Sequence, residues 1–391
     1  MDDIFNIDGL MHSAMSVDGL HDFGTWPFQE ALSNLSWSLA NEAELNDVGR
    51  QVMQQRLIEI LATRLRVNEW LKRYPEISDE VLLPPVFIAG LPRTGTTMLH
   101  RTIAADSRFN APLWYEVRFP CPQLDWDFSN ERDWRIATAK AEVDAMLSAN
   151  PDLLSIHPLD ALGADEDIML LEQSFFSYNP QAFANLPAYD LWLSGQDHTP
   201  GYEYFRLLLK FLQWQKKKAG GTAERWVLKA PHHLHFMDVV LKIFPDAMVV
   251  QSHRDPIDTI PSLASLIAGV WTIYSDKVDM TEVGRQWSSK FASGMKKTME
   301  VRETNGDDSF LDLWFTDTVK EPLEAVKRVY DFIGLSLTEN AKKEIENWQE
   351  LNKRELRPSH NYTLSQFGLT EEELATQFQD YRETFILNKT H

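Results

Sequence analysis

The chain has 391 residues, of which 43% are apolar and 25% charged, and its formal net charge is −20. This is an ordinary globular composition, and so negative a charge argues against broad nucleic-acid binding. The single cysteine, Cys121, excludes an internal disulfide framework and suits a reducing cytoplasm. The sequence has no signal-peptide pattern, no run of ~20 apolar residues and no zinc-ligand spacing, so we expect a cytoplasmic protein without a membrane span.

The predicted elements begin with helices and then alternate between strands and helices. Residues 24–80 carry apolar side chains at three- and four-residue spacing, which predicts a helical N-terminal region. Short apolar runs predict strands buried on both faces of a sheet, at 86–90, 225–230, 247–254 and 309–315. Strands that alternate with helices indicate a parallel sheet with right-handed crossovers. This pattern predicts the α/β fold class.

The same alternation predicts how the chain is divided. We expect a helical region over 1–83 that packs on the core and an α/β domain over 84–391. Within this domain, a mainly helical insertion is expected at about 120–220 and a separate C-terminal segment at about 336–391. The residues DEDIMLLEQSFFS, 165–177, are included in the predicted helices of the insertion.

The stretch GLPRTGTT, residues 90–97, follows the first predicted strand and precedes a helix. Gly90 and Gly95 have the spacing of a phosphate-binding loop, in which backbone N–H groups and a helix N-terminus hold an anion. Thr96 stands where a nucleoside triphosphatase has lysine, while Arg93 lies inside the loop. Arginine offers a planar fork of donors suited to phosphate or sulfate. The loop therefore favours a 5′-phosphate over a Mg²⁺-bound triphosphate.

The segment GLPRTGTTMLHRTIAADS, residues 90–107, closely resembles the 5′-phosphosulfate loop of sulfotransferases. The resemblance to a bacterial branch of that family, related to the tyrosylprotein sulfotransferases, covers most of the chain. It implies a P-loop, nucleotide-kinase-like parallel sheet flanked by helices, with a helical N-terminal extension. It also implies 3′-phosphoadenosine-5′-phosphosulfate (PAPS) as donor, 3′,5′-adenosine bisphosphate (PAP) as product, and no metal. The implied donor contacts in the loop are Pro92, Arg93, Thr94, Gly95, Thr96 and Thr97, and Arg93 is also assigned to catalysis.

A donor with a separate 3′-phosphate needs a second anion site. Arg254 ends the third predicted strand, and Pro256 suits the first turn of a helix that would carry Ser262. In sulfotransferases an arginine at a strand end and a serine in the next helix hold the 3′-phosphate, and Arg254 and Ser262 match that pattern. The alternative for Arg254 is an ion pair with Asp255 or Asp258. The resemblance further implies that the stretch RPSHNYTLSQFGL closes over the donor, through Arg357 and Tyr362.

The catalytic groups are predicted at the end of the second strand and after the helix that follows the glycine loop. Lys229 lies at the carboxyl edge of the sheet, where a cation would stabilise negative charge on the leaving phosphate oxygen. Two candidates stay open for the base that deprotonates the acceptor. Glu116 lies in APLWYEVRFP, where the related branch carries a glutamate base. His233, or His232, follows the lysine, and histidine is the base of cytosolic sulfotransferases. We favour Glu116.

The predicted activity is in-line transfer of a sulfuryl group to a hydroxyl of a small apolar or aromatic acceptor. One alternative is a nucleotide or small-molecule kinase, in which Asp312 would hold Mg²⁺. Another is a non-catalytic nucleotide-binding or partner-binding protein. The stretch 150–200 is expected to form acceptor walls, with His157 as a candidate contact. No nucleic-acid partner is expected, and a homo-oligomer stays open.

Overall fold

The computed structural model describes residues 4–129, 133–149, 159–352 and 362–388. The predicted contacts His157 and Arg357 lie outside these residues.

Five parallel strands form one sheet in the order β2-β3-β1-β4-β5. They are β1 (Val86–Gly90), β2 (Phe109–Asn110), β3 (Arg225–Lys229), β4 (Met248–His253) and β5 (Phe310–Trp314). In the register around the central β1, Ile88 pairs with Lys229 of β3 and Gly90 pairs with Ser252 of β4. The carboxyl ends of these three strands therefore meet at one edge, where open α/β sheets bind ligands.

Helices cover both faces of the sheet and make up the N-terminal region. Their bounds are Ile7–Asp18, Gln29–Asn41, Asp47–Arg73, Thr96–Ala104, Trp114–Arg118, Trp134–Ala149, Ile168–Glu172, Pro187–Ser194, Thr199–Lys218, Met237–Ile243, Pro256–Tyr274, Met280–Asn305, Phe315–Lys320, Pro322–Phe332, Glu339–Leu351, Glu371–Gln377 and Gln379–Arg382. Single helical turns of other types lie at Pro75–Ile77, Asn179–Ala182, Pro231–His235, Leu364–Phe367 and Glu383–Leu387.

The predicted α/β class and the four predicted strands are confirmed. β2 has only two residues, too few to leave a periodic pattern. The helix predicted over residues 165–177 is wrong at both ends, because only Ile168–Glu172 is helical. The acidic residues before it instead bond to basic partners at the sheet edge.

Side chains alternate between the two faces of the central strand and build two apolar clusters. Val86 and Ile88 point into a cluster with Leu99 of the helix after β1. Phe87 points into a larger cluster, which also contains Leu61 from the N-terminal helices. The N-terminal region therefore shares a core with the sheet, while the division between residues 83 and 84 stays a prediction.

One helix in the described residues, Pro256–Tyr274, is long and apolar enough to cross a membrane. Over a stretch of 18 of its residues the mean hydropathy is 1.3, and 56% of that stretch is buried inside the protein. It packs against the helices Asp47–Arg73 and Met280–Asn305 and continues through Pro261 without a break. Burial of this kind is also typical of a core helix, and the absence of a membrane span and the cytoplasmic location remain predictions.

Candidate functional site

The phosphate loop, residues 90–97, leaves β1 and enters the helix Thr96–Ala104, which we call the loop helix. Its backbone passes through the left-handed region at Arg93 (φ 71°) and Gly95 (φ 85°). A side chain at Gly95 would be strained, and its Cβ would lie 3.0 Å from the ring of Phe315. The unpaired N–H groups of the first helical turn thus lie at the carboxyl edge of the sheet, a favourable place for an anion.

The loop is locked against the neighbouring strand by side chains that close its turn. The Thr94 hydroxyl donates to the carbonyl of Leu91 (2.8 Å), and the Thr94 carbonyl accepts from the Ser252 hydroxyl (2.7 Å). Gly90 permits this close approach, since a Cβ there would lie 2.7 Å from the Ser252 carbonyl oxygen. These contacts therefore fix the shape of the loop.

Lys229 approaches the loop from β3. The residue is only 1% exposed, and its Nζ donates to Thr97 Oγ1 (3.3 Å) and to Glu166 Oε1 (2.6 Å). Its position follows from the register, because β3 is the direct neighbour of β1. A cation accordingly lies beside the N-terminus of the loop helix, whose own dipole also favours negative charge.

Arg254 and Ser262 approach the loop from the opposite side, after β4. Arg254 Nη1 donates to the carbonyl of Arg93 (3.1 Å), and its guanidinium lies 4.3 Å from the ring centroid of Phe315. Arg93 Nε donates in turn to Ser262 Oγ (3.2 Å). Arg254 also comes within 3.5 Å of Asp258, one of the two predicted alternative partners. Residues far apart in the sequence therefore form one polar cluster next to the loop.

The residues on either side of Arg254 are held by the C-terminal segment. Nδ1 of His253 is hydrogen-bonded to the Tyr381 hydroxyl (3.1 Å), and its ring stacks on Phe385 at 4.4 Å between centroids. Asp255 accepts from Arg382 Nε and Nη2, each at 3.0 Å. Sequence reasoning missed these contacts, since it looked for the closing residues further upstream.

Tyr362, a predicted donor contact, is half-buried and packs against the larger apolar cluster. The turn that follows it, Leu364–Phe367, lies on the helix Met280–Asn305, where the Phe367 carbonyl would be 2.2 Å from a Cβ at Gly284. Its role with the donor stays a prediction.

The Glu116 carboxylate is buried and has three hydrogen-bond donors. One oxygen accepts from the Leu113 backbone N–H (3.0 Å), which caps the start of the helix Trp114–Arg118. The other accepts from Lys216 Nζ (2.6 Å) and from the Tyr115 hydroxyl (3.3 Å). Burial, and then the Glu116 charge, raises the pKa of the Tyr115 phenol. In the described part of the chain, neither Lys229 nor the phosphate loop is among its hydrogen-bond partners.

The two candidate histidines lie in the interior after β3. His233 is 0% exposed, with Nε2 hydrogen-bonded to Asp167 (2.9 Å) and Nδ1 to the Tyr202 hydroxyl (2.9 Å). His232 is equally buried, and its ring nitrogens have no hydrogen-bond partner among the described residues. Burial, followed by the neighbouring histidines, holds the pKa of His232 well below its ordinary value. Neither ring is open to an acceptor in this conformation.

A run of acidic residues, Asp165–Asp167, lies along the same edge and was not singled out from the sequence. Its members pair in order with Arg101, Lys229 and His233, at 3.2, 2.6 and 2.9 Å. The backbone N–H of Asp167 donates to the Lys229 carbonyl (3.3 Å), which fixes the run to the end of β3. Three consecutive acidic residues before an apolar stretch were the available signal.

Asp312, the acid that a kinase would need, is engaged in other bonds. It accepts from Arg302 Nη1 (2.7 Å) and Nη2 (2.9 Å), and from His253 Nε2 (2.8 Å). Burial opposes ionisation, but the hydrogen bonds from His253 and Arg302 hold the pKa of the Asp312 carboxyl below its ordinary value. Among the residues that the structure describes, no group of three or more His, Cys, Asp or Glu could hold a metal ion.

Two open cavities among the described residues are candidates for an acceptor site. The first, of about 330 Å³, is lined partly by apolar residues and partly by cationic ones, including Tyr178, Leu193, Phe236, Lys290 and Lys297. The second, of about 370 Å³, lies at the far end of the loop helix and is lined by Ala105 and Lys216 among others. Burial, and then the charge of Glu166, raises the pKa of the Tyr178 phenol well above its ordinary value. His235 and Phe236, which follow the end of β3, also line the first cavity.

A parallel sheet with a tight glycine-containing loop and a helix N-terminus after its central strand, and cationic side chains at both neighbouring strand ends, defines a P-loop-like α/β protein. The chain belongs to the sulfotransferase family, whose model matches residues 84–339. It is 28% identical over 258 residues to the omega-hydroxy-beta-dihydromenaquinone-9 sulfotransferase Stf3 of Mycobacterium bovis. That match covers 64% of this chain and 63% of the length of the relative.

Two solved structures resemble the whole chain. The sulfotransferase STF1 of Mycobacterium tuberculosis H37Rv is 30% identical with a TM-score of 0.84, and the match covers 97% of this chain and 100% of that one. The sulfotransferase STF9 of Mycobacterium avium is 25% identical with a TM-score of 0.87, and the match covers 99% and 98%. The resemblance to a bacterial sulfotransferase family is confirmed, and so is the expected fold.

Proposed function

We propose that this chain transfers a sulfuryl group from PAPS to a hydroxyl group of an apolar acceptor. The observation that carries the proposal is the cluster of Arg93, Arg254 and Ser262 beside the phosphate loop. It supplies a second group of anion-binding side chains, separate from the helix N-terminus. A donor with two separated phosphates needs both, whereas the linear triphosphate of a kinase substrate needs only the loop and a metal.

In this proposal the loop holds the 5′-phosphosulfate and the arginine cluster holds the 3′-phosphate. The N–H groups of Thr96 and Thr97, with their hydroxyls, would bind the phosphosulfate oxygens, and Pro92, Thr94 and Gly95 would shape the turn. The Arg254 guanidinium is a planar fork of N–H donors suited to bidentate phosphate binding. Arg93 would lie between the 5′-phosphosulfate and the 3′-phosphate, since it contacts both Arg254 and Ser262.

Lys229 would act on the chemical step. Sulfuryl transfer breaks the bond between sulfur and the bridging oxygen, and negative charge develops on that oxygen as PAP leaves. A buried ammonium group next to Thr97 would stabilise this charge more strongly in the transition state than in the bound donor. This differential effect raises turnover rather than donor affinity.

The acceptor is proposed to bind in the first cavity. Leu193 and Phe236 provide apolar wall, and His235, in the turn that follows β3, lines the same cavity. The relative Stf3 is named for a hydroxylated dihydromenaquinone. By that similarity we propose a hydroxyl on an isoprenoid or quinone-linked lipid as the acceptor class.

The test is an acceptor screen with PAPS and the full chain, with PAP release as the readout. Farnesol represents isoprenoid alcohols, 4-nitrophenol represents phenols, and reactions without acceptor give the background. Calorimetry with PAP and with ATP·Mg²⁺ separates the alternatives. Tight PAP binding and acceptor-dependent PAP release are expected. Binding of ATP·Mg²⁺ without binding of PAP would support a kinase instead, and PAP binding without turnover would support a non-catalytic protein.

A further inference from the structure

The acidic run at the end of β3 contains one side chain that differs from its neighbours. Asp165 and Asp167 are 4% and 0% exposed and pair with Arg101 and His233. Glu166, between them, keeps 24% of its side chain exposed while its Oε1 lies 2.6 Å from Lys229 Nζ. The run therefore directs a single carboxylate to the place where Lys229 meets the loop.

This position is held by the backbone and not only by the ion pair. The Asp167 N–H donates to the Lys229 carbonyl (3.3 Å), and the Asp165 N–H donates to the Pro112 carbonyl (2.9 Å). The Glu166 N–H donates to the Asp165 carboxylate (2.7 Å). A carboxylate fixed from both sides in this way is pre-organised for proton transfer.

Among Glu116, His233 and Glu166, only Glu166 is hydrogen-bonded to Lys229, the cation beside the loop. Glu116 caps its own helix and pairs with Lys216. His233 is fully buried, with both ring nitrogens hydrogen-bonded. Glu166 instead touches Lys229, which touches Thr97 at the start of the loop helix, and it remains partly open to the surroundings.

We infer that Glu166 is the group that accepts the proton of the acceptor hydroxyl. The inference rests on the proposed function, because it assigns a residue to that reaction. As the acceptor oxygen bonds to sulfur, its proton passes to a Glu166 carboxylate oxygen, and the bond between sulfur and the phosphate oxygen breaks. PAP leaves with that electron pair, next to Lys229, so the proton, the sulfuryl group and the electrons are all accounted for.

The pairing with Lys229 gives the two groups complementary tasks. The donor is expected to draw Lys229 towards its bridging oxygen, which lengthens the contact with Glu166. The carboxylate then has an oxygen available for a hydroxyl that approaches its exposed side. Before the donor binds, Glu166 and Lys229 neutralise each other, so the buried ammonium is not left unpaired.

The test compares Glu166→Gln with wild type on two acceptors in the full chain. Farnesol keeps its proton at mildly alkaline pH, whereas 4-nitrophenol is ionised there without help. The variant is expected to lose about 100-fold or more in turnover with farnesol. It should keep turnover with 4-nitrophenol and its affinity for PAP. Glutamine can still accept the hydrogen bond from Lys229, so a purely structural role would predict little change with either acceptor.

Matched variants and controls decide between the outcomes. Glu224→Gln, at the exposed residue just before β3, is expected to behave as wild type. Glu166→Asp keeps a carboxylate and should retain part of the farnesol activity. Equal losses with both acceptors, or an acceptor-dependent loss in Glu116→Gln rather than Glu166→Gln, would overturn the inference. A wild type that binds no PAP and turns over neither acceptor contradicts the proposed function itself, which is a separate result.

Discussion

Arg382 donates to both carboxylate oxygens of Asp255, each at 3.0 Å, and so ties the end of the described chain to the residue after Arg254. Asp255 also caps the helix that carries Ser262, through a bond from the Ile257 N–H (3.1 Å). One carboxylate thus supports both residues of the predicted 3′-phosphate site. The geometry of that site therefore depends on the helix Gln379–Arg382, which is far from it in the sequence.

Arg382→Ala should weaken PAP binding about three- to tenfold without removing any phosphate contact. The substitution releases Asp255 and lets Arg254 and Ser262 move, which corresponds to roughly 1 kcal/mol of lost pre-organisation. Calorimetry with PAP measures the effect. Arg73→Ala, which breaks the pair with Glu69 on the N-terminal helices, is the control. Unchanged PAP affinity in Arg382→Ala would show that the C-terminal segment supports folding alone.

Arg254→Ala should have a larger effect, because it removes the guanidinium itself. Loss of a charge-assisted contact costs about 1.5–3 kcal/mol, or one to two decades in PAP affinity. Arg254→Lys keeps the charge but loses the planar fork and the contact with the Phe315 ring, so an intermediate affinity is expected. Adenosine 5′-phosphate lacks the 3′-phosphate and serves as the control ligand. If Arg254→Ala lowers the affinity for it as much as the affinity for PAP, then Arg254 does not bind the 3′-phosphate.

Lys229→Met should lower turnover about 100-fold or more while PAP affinity changes little. Methionine fills a similar volume but cannot stabilise charge on the leaving oxygen. Glu166 loses its partner in this variant, yet it is partly exposed and can be solvated. Steady-state kinetics and PAP calorimetry separate the two effects. Lys277→Met, at an exposed pair with Glu44, is the control, and a loss confined to donor affinity would assign Lys229 to binding.

Asp312→Asn should destabilise the fold by about 2 kcal/mol at neutral pH, since Asp312 accepts charge-assisted bonds from Arg302. The pKa of the Asp312 carboxyl is depressed in the folded state. Its contribution is therefore present above the ordinary value of ~3.9 and is lost as the pH falls towards the folded value. Urea unfolding should show a gap between wild type and variant at neutral pH that shrinks near pH ~3. A gap of constant size over this whole pH range would mean that packing, not charge, is responsible.

The sequence alone predicts the features that follow from a local pattern or from the position of a strand end. Four strands were predicted from their apolar runs, and Lys229 and Arg254 from the rule that parallel strands end at one edge. Glu166 was not found, because its meaning depends on Lys229, which is 63 residues away along the chain. The pairing of Asp255 with Arg382, separated by 127 residues, leaves no periodic signal either. Glu116 was favoured from resemblance, while its capping bond became visible only once the start of its helix was known.

Arg93 adopts a backbone angle that glycine reaches freely and arginine does not, with φ at 71°. For a side-chain-bearing residue this conformation costs roughly 1–2 kcal/mol. Replacement by glycine would relieve that cost, so the unliganded chain should unfold at a similar or higher temperature, while its affinity for PAP falls. Thermal resistance and ligand affinity would then change in opposite directions at one position. A variant library selected only for heat tolerance would be expected to discard this arginine.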